Sequence, residues 1–183
     1  ADIFSDGHDS LSAVLLWKKQ DDREWQQVPF VFIENDRWQS SFTVAELGVY
    51  VYTIEGWVDH FRTWQRDLKK KFDAGQELSV EFLAGLIHIE SAIGRATLEE
   101  DRRKLRVLHD RLRGLHEKES EEAVSVALGR DLSEQMDIFP DKRFAVQYEK
   151  ELAVVVDPPK ALFSTWYEFF PRSCPPERGA HGT

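Results

Sequence analysis

Hydrophobic residues follow two different patterns along this chain of 183 residues. Between residues 67 and 137 the only Phe, Trp or Tyr side chains are Phe72 and Phe82, whereas the flanking parts are rich in all three. Aromatic and β-branched residues favour strands, and apolar residues spaced three and four apart favour amphipathic helices. The pattern therefore predicts a helical middle between two strand-forming ends.

The first part of the chain is predicted to form short antiparallel strands. Asn35 and Asp36 supply turn residues between two of the β-branched and aromatic runs. In the run 48–58, Tyr50 and Ile54 share one face with other apolar residues, and the opposite face is also largely apolar. That pattern predicts a central strand covered on both faces. The predicted strands span residues 11–18, 26–33, 37–43, 48–58 and 61–66.

The middle of the chain is predicted to contain three amphipathic helices. Apolar residues recur at helix spacing over residues 78–93, before Gly94, and a third helix is predicted from Glu121 to about Met136. Short links between three such helices predict a small antiparallel bundle. The second helix carries a leucine seam, which repeats roughly by heptads and must contact another helix: Leu98, Leu105, Leu108, Leu112 and Leu115.

Strand character returns after Pro140. Residues 152–156 form an apolar, β-branched run closed by Asp157 and two prolines. Short antiparallel strands with regular turns predict a β-sandwich, and strands on both sides of a helical block favour an insertion over two successive domains. The predicted fold is α+β overall: a β-sandwich of residues 1–66 and 139–159, interrupted by an inserted three-helix bundle of residues 67–138.

Composition excludes several classes of protein. The net charge of −9 disfavours a nucleic-acid partner, because a negative field repels phosphate backbones. No apolar run approaches the roughly 20 residues that span a bilayer, which predicts no membrane partner. The single cysteine, Cys174, cannot form an internal disulfide and is compatible with a reducing compartment, so a cytoplasmic protein is expected.

Three stretches of the chain resemble a known protein family. Residues 163–173, an aromatic run closed by Pro-Arg-Ser, resemble the first barrel strand of the alpha-amylase superfamily, glycoside hydrolase family 13. Residues 48–75, with Trp-Val-Asp-His-Phe at 57–61 and Lys-Phe-Asp-Ala-Gly at 71–75, are similar to the N-terminal region of the alpha-1,4-glucan:maltose-1-phosphate maltosyltransferases. Residues 139–157 extend that resemblance, which covers nearly the whole chain.

The resemblance implies an immunoglobulin-like sandwich with a helical insert, followed by a catalytic (β/α)8 barrel of which residues 160–183 would be the truncated start. The parent enzyme would transfer maltosyl units from maltose 1-phosphate to the non-reducing ends of alpha-1,4-glucans, in glycogen-like glucan synthesis. Such retaining chemistry uses two carboxyl groups about 5 Å apart. In family 13 both lie on later barrel strands, so no catalytic residue is assigned here, and the region itself is expected to be an accessory and dimerisation module.

Tryptophans are the candidate carbohydrate-binding residues. Five of the six lie in the first 66 residues, and flat indoles can stack on sugar rings. Because large aromatic side chains more often fill cores, packing is the favoured role. A carbohydrate-binding module that holds alpha-glucan for a family 13 enzyme remains the alternative. The candidates for glucan contact are Trp25, in a polar loop, Trp17 and Trp38.

Two further groups of residues are predicted to form interfaces, and none to bind a metal or cofactor. The junction between sandwich and insert would be formed by Trp57, Asp59, His60, Phe61 and Trp64. A homodimer interface would use the leucine seam at Leu105, Leu108, Leu112 and Leu115. The six histidines lack the spacing of a zinc site. Asp59 and His60 are not expected to act as a catalytic pair, since neighbours on a strand point to opposite faces.

Overall fold

The computed structural model describes residues 1–115, 120–165, 167–168, 170 and 177. In these residues the fold consists of a five-stranded antiparallel sheet, a separate two-stranded hairpin and a group of helices. The fold is α+β, and no strands of the described residues close into a barrel. Within the same residues, no helix is both long and apolar enough to cross a membrane. The strands are β1 (Leu11–Lys19), β2 (Gln26–Pro29), β3 (Val31–Glu34), β4 (Arg37–Gln39), β5 (Gly48–Val58), β6 (Val146–Gln147) and β7 (Leu152–Val156).

Strand β5 is central in the main sheet, as its two apolar faces predict. It pairs with β1 along its length on one edge, and with β7 and then β6 on the other. Strand β2 continues the sheet beyond β1. Thr53, which is fully buried in β5, donates a hydrogen bond of 3.0 Å to the carbonyl of Tyr148 and so fixes the chain beside β6.

Strands β3 and β4 form a separate hairpin. Asn35 and Asp36 turn the chain between them, both with positive φ angles (47° and 61°) of the kind that two-residue hairpin turns require. The predicted single strand over residues 26–33 is divided at Phe30, whose amide still bonds to the carbonyl of Ala13. Strand β4 ends at Gln39 and is shorter than predicted.

The helical part contains five α-helices among the described residues, where the sequence predicted three. They are α1 (His60–Asp73), α2 (Ser79–Arg95), α3 (Glu99–Leu115), α4 (Glu121–Ala127) and α5 (Arg130–Ile138). Helices α2 and α3 correspond to the first two predicted helices. The predicted helix over residues 121–136 is split into α4 and α5 at Gly129, whose backbone is extended. A Cβ added at Gly129 would lie 2.8 Å from the carbonyl oxygen of Ser125.

The prediction of a strand over residues 61–66 was wrong, because this segment lies in α1. Phe61, Trp64 and Leu68 are spaced three and four apart, and all three side chains are buried in the helical core. Helical structure therefore begins at His60, seven residues before the predicted boundary. The aromatic content suggested a strand, whereas the spacing indicated a helix.

The helices pack around one apolar core that is separate from the buried face of the sheet. Phe82, Ile89, Leu105, Leu112 and Leu132 are fully buried there. The chain enters the helices directly from β5, and after α5 both β6 and β7 return to pair with β5. The two ends of the helical part are thus anchored beside the same strand.

The segment that was expected to open a barrel carries no strand in its described residues. Residues 159–162 form a 3₁₀ turn, Pro159–Leu162, and the side chains of Leu162, Phe163, Tyr167 and Phe170 are exposed. Pro171, Arg172 and Ser173, and Cys174 after them, lie outside the described residues.

Candidate functional site

The junction between the sheet and the helices is organised by Asp59. Its carboxylate accepts a hydrogen bond from the backbone amide of Arg62 (2.9 Å) and so caps α1. The other carboxylate oxygen accepts from the Ser12 hydroxyl on β1 (2.7 Å). The Asp59 amide donates to the carbonyl of Ser10 at 2.7 Å. With a side chain only 12% exposed, Asp59 joins the first strand to the first helix.

The Asp59 carboxylate is thus occupied by structural bonds, while His60 begins α1 and is exposed. Asp59 and His60 lie at the start of α1, so the prediction that they are neighbours on a strand was wrong. Within the residues that the structure describes, no group of three or more His, Cys, Asp or Glu side chains could hold a metal ion.

Two ion pairs connect the junction to the end of α5 and to the chain that follows it. Arg62 donates both hydrogen bonds of one guanidinium nitrogen to the Asp137 carboxylate (2.8 and 2.9 Å). Lys142 bonds to Glu55 of β5 (2.5 Å) and lies 4.5 Å from the ring centre of Trp57. These pairs join residues more than 70 positions apart, so sequence spacing could not have revealed them.

A small cavity with a volume of about 30 Å³ lies at this junction. Trp57, Asp59, His60 and Phe61 line it together with His88 of α2, so four of the five predicted junction residues meet at one place. Burial, followed by the nearby His60, lowers the pKa of His88 below its ordinary value. The volume suffices for about one water molecule and excludes a substrate-sized ligand.

Trp64, the fifth predicted junction residue, belongs to the helical core. Its indole nitrogen donates to the Glu81 carbonyl of α2 (2.7 Å), and its ring lies over Gly85, where an added Cβ would approach Cζ2 to 2.2 Å. The close approach of α1 and α2 therefore requires glycine at this position. Trp57 is buried at the end of β5, and its indole nitrogen has no acceptor in the described part of the chain.

The three tryptophans that were proposed to contact glucan are all partly buried. Trp17 stacks on Phe42 with a centroid distance of 4.8 Å, which covers one face of its ring. Trp25 has the Lys18 ammonium group 5.1 Å from its ring centre. Trp38 donates to the Ile3 carbonyl (3.1 Å). The structure distributes these three residues over different contacts and does not assemble them into one platform.

The leucine seam faces the helical core of its own chain. Leu105 and Leu112 have no exposed surface, and Leu108 and Leu115 are partly buried against the same core. A second copy of the chain therefore cannot contact Leu105 or Leu112 in this fold. The heptad pattern reflects a helix contact within the chain. The sequence could not distinguish it from a contact between two chains, because both kinds of partner impose the same spacing.

The two faces of the sheet carry different chemistry. On one face, an apolar patch is formed by Phe4, Phe144, Val146 and Tyr148, of which Phe144 and Val146 are 81% and 73% exposed. It lines a cavity of about 500 Å³. On the other face, a junction groove of about 570 Å³ runs between β1, β2, the hairpin and the ends of α1 and α5. Its lining includes Gln27, Phe32, Trp38, Trp57, Arg62 and Asp137.

Comparison with known proteins identifies the family. Residues 1–158 match the family model described as alpha-1,4-glucan:maltose-1-phosphate maltosyltransferase, domain N/S. A protein of that name from Chlorobaculum tepidum is 44% identical over 183 residues, covering all of this chain and 27% of the relative. The one from Myxococcus xanthus is 41% identical over 187 residues, covering all of this chain and 28% of the relative.

A more distant relative of the same name, from Methylacidiphilum infernorum, is 32% identical over 181 residues, which is 99% of this chain and 26% of that protein. The chain thus spans about a quarter of the length of the curated relatives it matches. The chain belongs to the alpha-1,4-glucan:maltose-1-phosphate maltosyltransferase family and corresponds to its N-terminal N/S region.

Proposed function

We propose that this chain is the non-catalytic accessory region of an enzyme that transfers maltosyl units from maltose 1-phosphate to the non-reducing ends of alpha-1,4-glucans. The names of the relatives supply the donor, the acceptor and the transferred group, and the resemblance supplies the non-reducing end. The chain spans about a quarter of the length of these relatives. In this proposal the catalytic carboxylates lie in a family 13 barrel outside the chain. Maltosyl transfer breaks the bond between the sugar and phosphate, forms a glycosidic bond and releases inorganic phosphate in the cytoplasm.

The apolar patch is the observation that carries the proposal. A group of neighbouring, exposed apolar side chains is a candidate contact with another protein surface. Phe144 and Val146 of the patch follow the return of the chain from the helices, and Phe4 approaches from the N-terminal segment. We assign the catalytic part of the same protein as its partner, since most of the length of the relatives lies outside this chain.

The two sheets and the helices fit the domain organisation that the family resemblance implies. The main sheet and the β3–β4 hairpin would be the two layers of an immunoglobulin-like sandwich, with the helices inserted between β5 and β6. The insertion would present a second surface at a fixed distance from the sandwich, because both of its ends are held beside β5.

The proposal is tested by comparing the 183-residue chain with the full-length protein. Phosphate release from maltose 1-phosphate in the presence of glycogen is expected from the full-length protein and not from the chain alone. Hydrogen exchange at residues 144–148 is expected to slow in the full-length protein. Turnover by the chain alone would overturn the non-catalytic assignment. Equal exchange in both proteins would show that the catalytic part does not cover the apolar patch.

We propose that the full-length protein is a homodimer in which α2 provides part of the interface. The exposed side chains of Val80, Leu83 and Ile87 recur at intervals of three and four residues, so they lie on one face of α2. This face replaces the leucine seam as the proposed contact, because the seam is occupied within the chain.

Light scattering at micromolar concentration is expected to give the mass of a dimer for the full-length protein. Ile87→Glu should shift the mass towards the monomer, since it would place a charge in an apolar contact. Val107→Glu, on an exposed apolar position of α3, is the matched control and should leave the dimer intact. A monomeric wild-type protein, or equal effects of the two variants, would contradict the proposed interface.

A further inference from the structure

The junction groove differs from the apolar patch in what it offers a ligand. Gln27 lies opposite Leu16, which also pairs with Thr53, so Gln27 shares the sheet face of Thr53 and Trp57. A second cavity of about 530 Å³ shares Gln27, Trp57 and Asp137 with the groove and continues it as far as Lys142. The groove therefore extends along the sheet, from the hairpin to the loop after α5.

The groove walls combine aromatic rings with hydrogen-bonding groups. Phe32, 53% exposed, meets Trp38 edge to face with a centroid distance of 5.3 Å. Gln27 supplies an exposed amide, and the Asp137 carboxylate keeps lone pairs beyond those used by Arg62. Flat apolar surface beside a few polar groups is the usual composition of a small-molecule site, and the volume lies in the range of such sites.

The charged groups of the groove disfavour an anionic ligand. Arg62 is paired with Asp59 and Asp137. Lys142 is paired with Glu55, and Arg95, which lines the continuation, donates two hydrogen bonds to the carbonyl of Phe139. The charges of Arg62 and Lys142 are already balanced by carboxylates, which reduces the attraction of the groove for a phosphate or a carboxylate. A neutral ligand that is rich in hydroxyl groups can instead bond to the paired groups from their outer side.

We infer that the junction groove binds a segment of neutral alpha-glucan, in which hydroxyl groups bond to Gln27 and Asp137 and a sugar ring packs against Phe32. The choice of glucan among neutral oligosaccharides rests on the proposed function. The site differs from one on Trp17 or Trp25, whose rings contact Phe42 and Lys18. Its role would be to hold a distant part of the glucan that the catalytic part extends.

The test uses the full-length protein and maltoheptaose that carries a photoreactive diazirine group. After irradiation and digestion, mass spectrometry is expected to find the label in peptides that contain residues 27–38 or 137–142. An excess of unlabelled maltoheptaose should remove this labelling. Peptides from the rest of the protein, including its catalytic part, provide an internal reference for intact folding.

Two pairs of variants isolate the groove. Gln27→Ala and Phe32→Ala should each lower groove labelling by roughly 3- to 10-fold, the effect of losing one neutral hydrogen bond or a comparable apolar contact. The matched controls are Gln26→Ala and Ile33→Ala, which are exposed neighbours on the same strands that do not line the groove. Both controls should label like the wild-type protein.

The inference is overturned if the label appears only outside these peptides, or if the controls lose as much labelling as the groove variants. It is also overturned if hydrogen exchange shows the groove covered by the rest of the protein before glucan is added. Phosphate release from maltose 1-phosphate is measured on the same samples. Groove labelling without turnover would contradict the proposed function alone, whereas turnover without groove labelling would contradict this inference alone.

Discussion

Replacing Asp59 with alanine is expected to destabilise the chain at the point where the sheet meets the helices. The variant removes the cap of α1, which contributes about 1 kcal/mol and up to about 2 kcal/mol. It also removes the bond from the Ser12 hydroxyl to a carboxylate, a class worth about 1.5–3 kcal/mol. Because both bonds end on one side chain, the expected loss in the free energy of unfolding is about 2–4 kcal/mol.

Asp59→Asn separates the two contributions. Asparagine caps helices about as well as aspartate, so the bond to the Arg62 amide should persist. The bond to Ser12 loses its charge and should weaken, with an expected cost of about 1 kcal/mol. Asp73→Ala is the control at the other end of the same helix. Its exposed pair with Lys69 should contribute less than about 1 kcal/mol.

Urea denaturation followed by tryptophan fluorescence measures these differences, with the slope against urea checked for constancy between variants. Trp57 and Trp64 flank the junction and report on its unfolding. The reasoning fails if Asp59→Ala costs no more than Asp73→Ala, or if Asp59→Asn costs as much as Asp59→Ala. A double-mutant cycle with Ser12→Ala should give a coupling energy of about 0.5–3 kcal/mol, and additive effects would contradict the direct bond.

Three further predictions concern the helical part. Gly85→Ala should lower the melting temperature, because the added Cβ would overlap the Trp64 ring and overpacking costs about 1–3 kcal/mol. Gly94→Ala is the control: its Cβ would meet no atom within 4 Å, and it should raise the melting temperature because it removes a glycine from the interior of a helix. Leu112→Ala should cost about 2–5 kcal/mol in urea denaturation, because the side chain is fully buried. Burial lowers the pKa of His88 in the folded chain, so its contribution to stability should be complete above pH 6.5 and decline as the pH falls below that value. His88→Gln should flatten this part of the dependence of unfolding free energy on pH, measured by urea denaturation. An unchanged pH dependence would contradict the assignment.

The elements with strong local patterns were predictable from sequence. Strand β5 (Gly48–Val58) and strand β7 (Leu152–Val156) have the predicted bounds, and α2 and α3 lie where apolar spacing predicted helices. These elements carry long periodic runs, and their period is a property of neighbouring residues alone. The wrong strand over residues 61–66 shows the limit of composition: its aromatic residues favour a strand, but their spacing places them on one face of α1.

The partners of each apolar face were decided by tertiary structure. The sequence alone determined that α3 carries a leucine seam and that β5 is apolar on both faces, because these features repeat within one element. Only the fold directed Leu105 and Leu112 into their own chain, brought Asp137 to Arg62, and left the apolar patch uncovered. Contacts between residues that are 75 positions apart depend on how the helices and strands pack, and no local pattern encodes that packing.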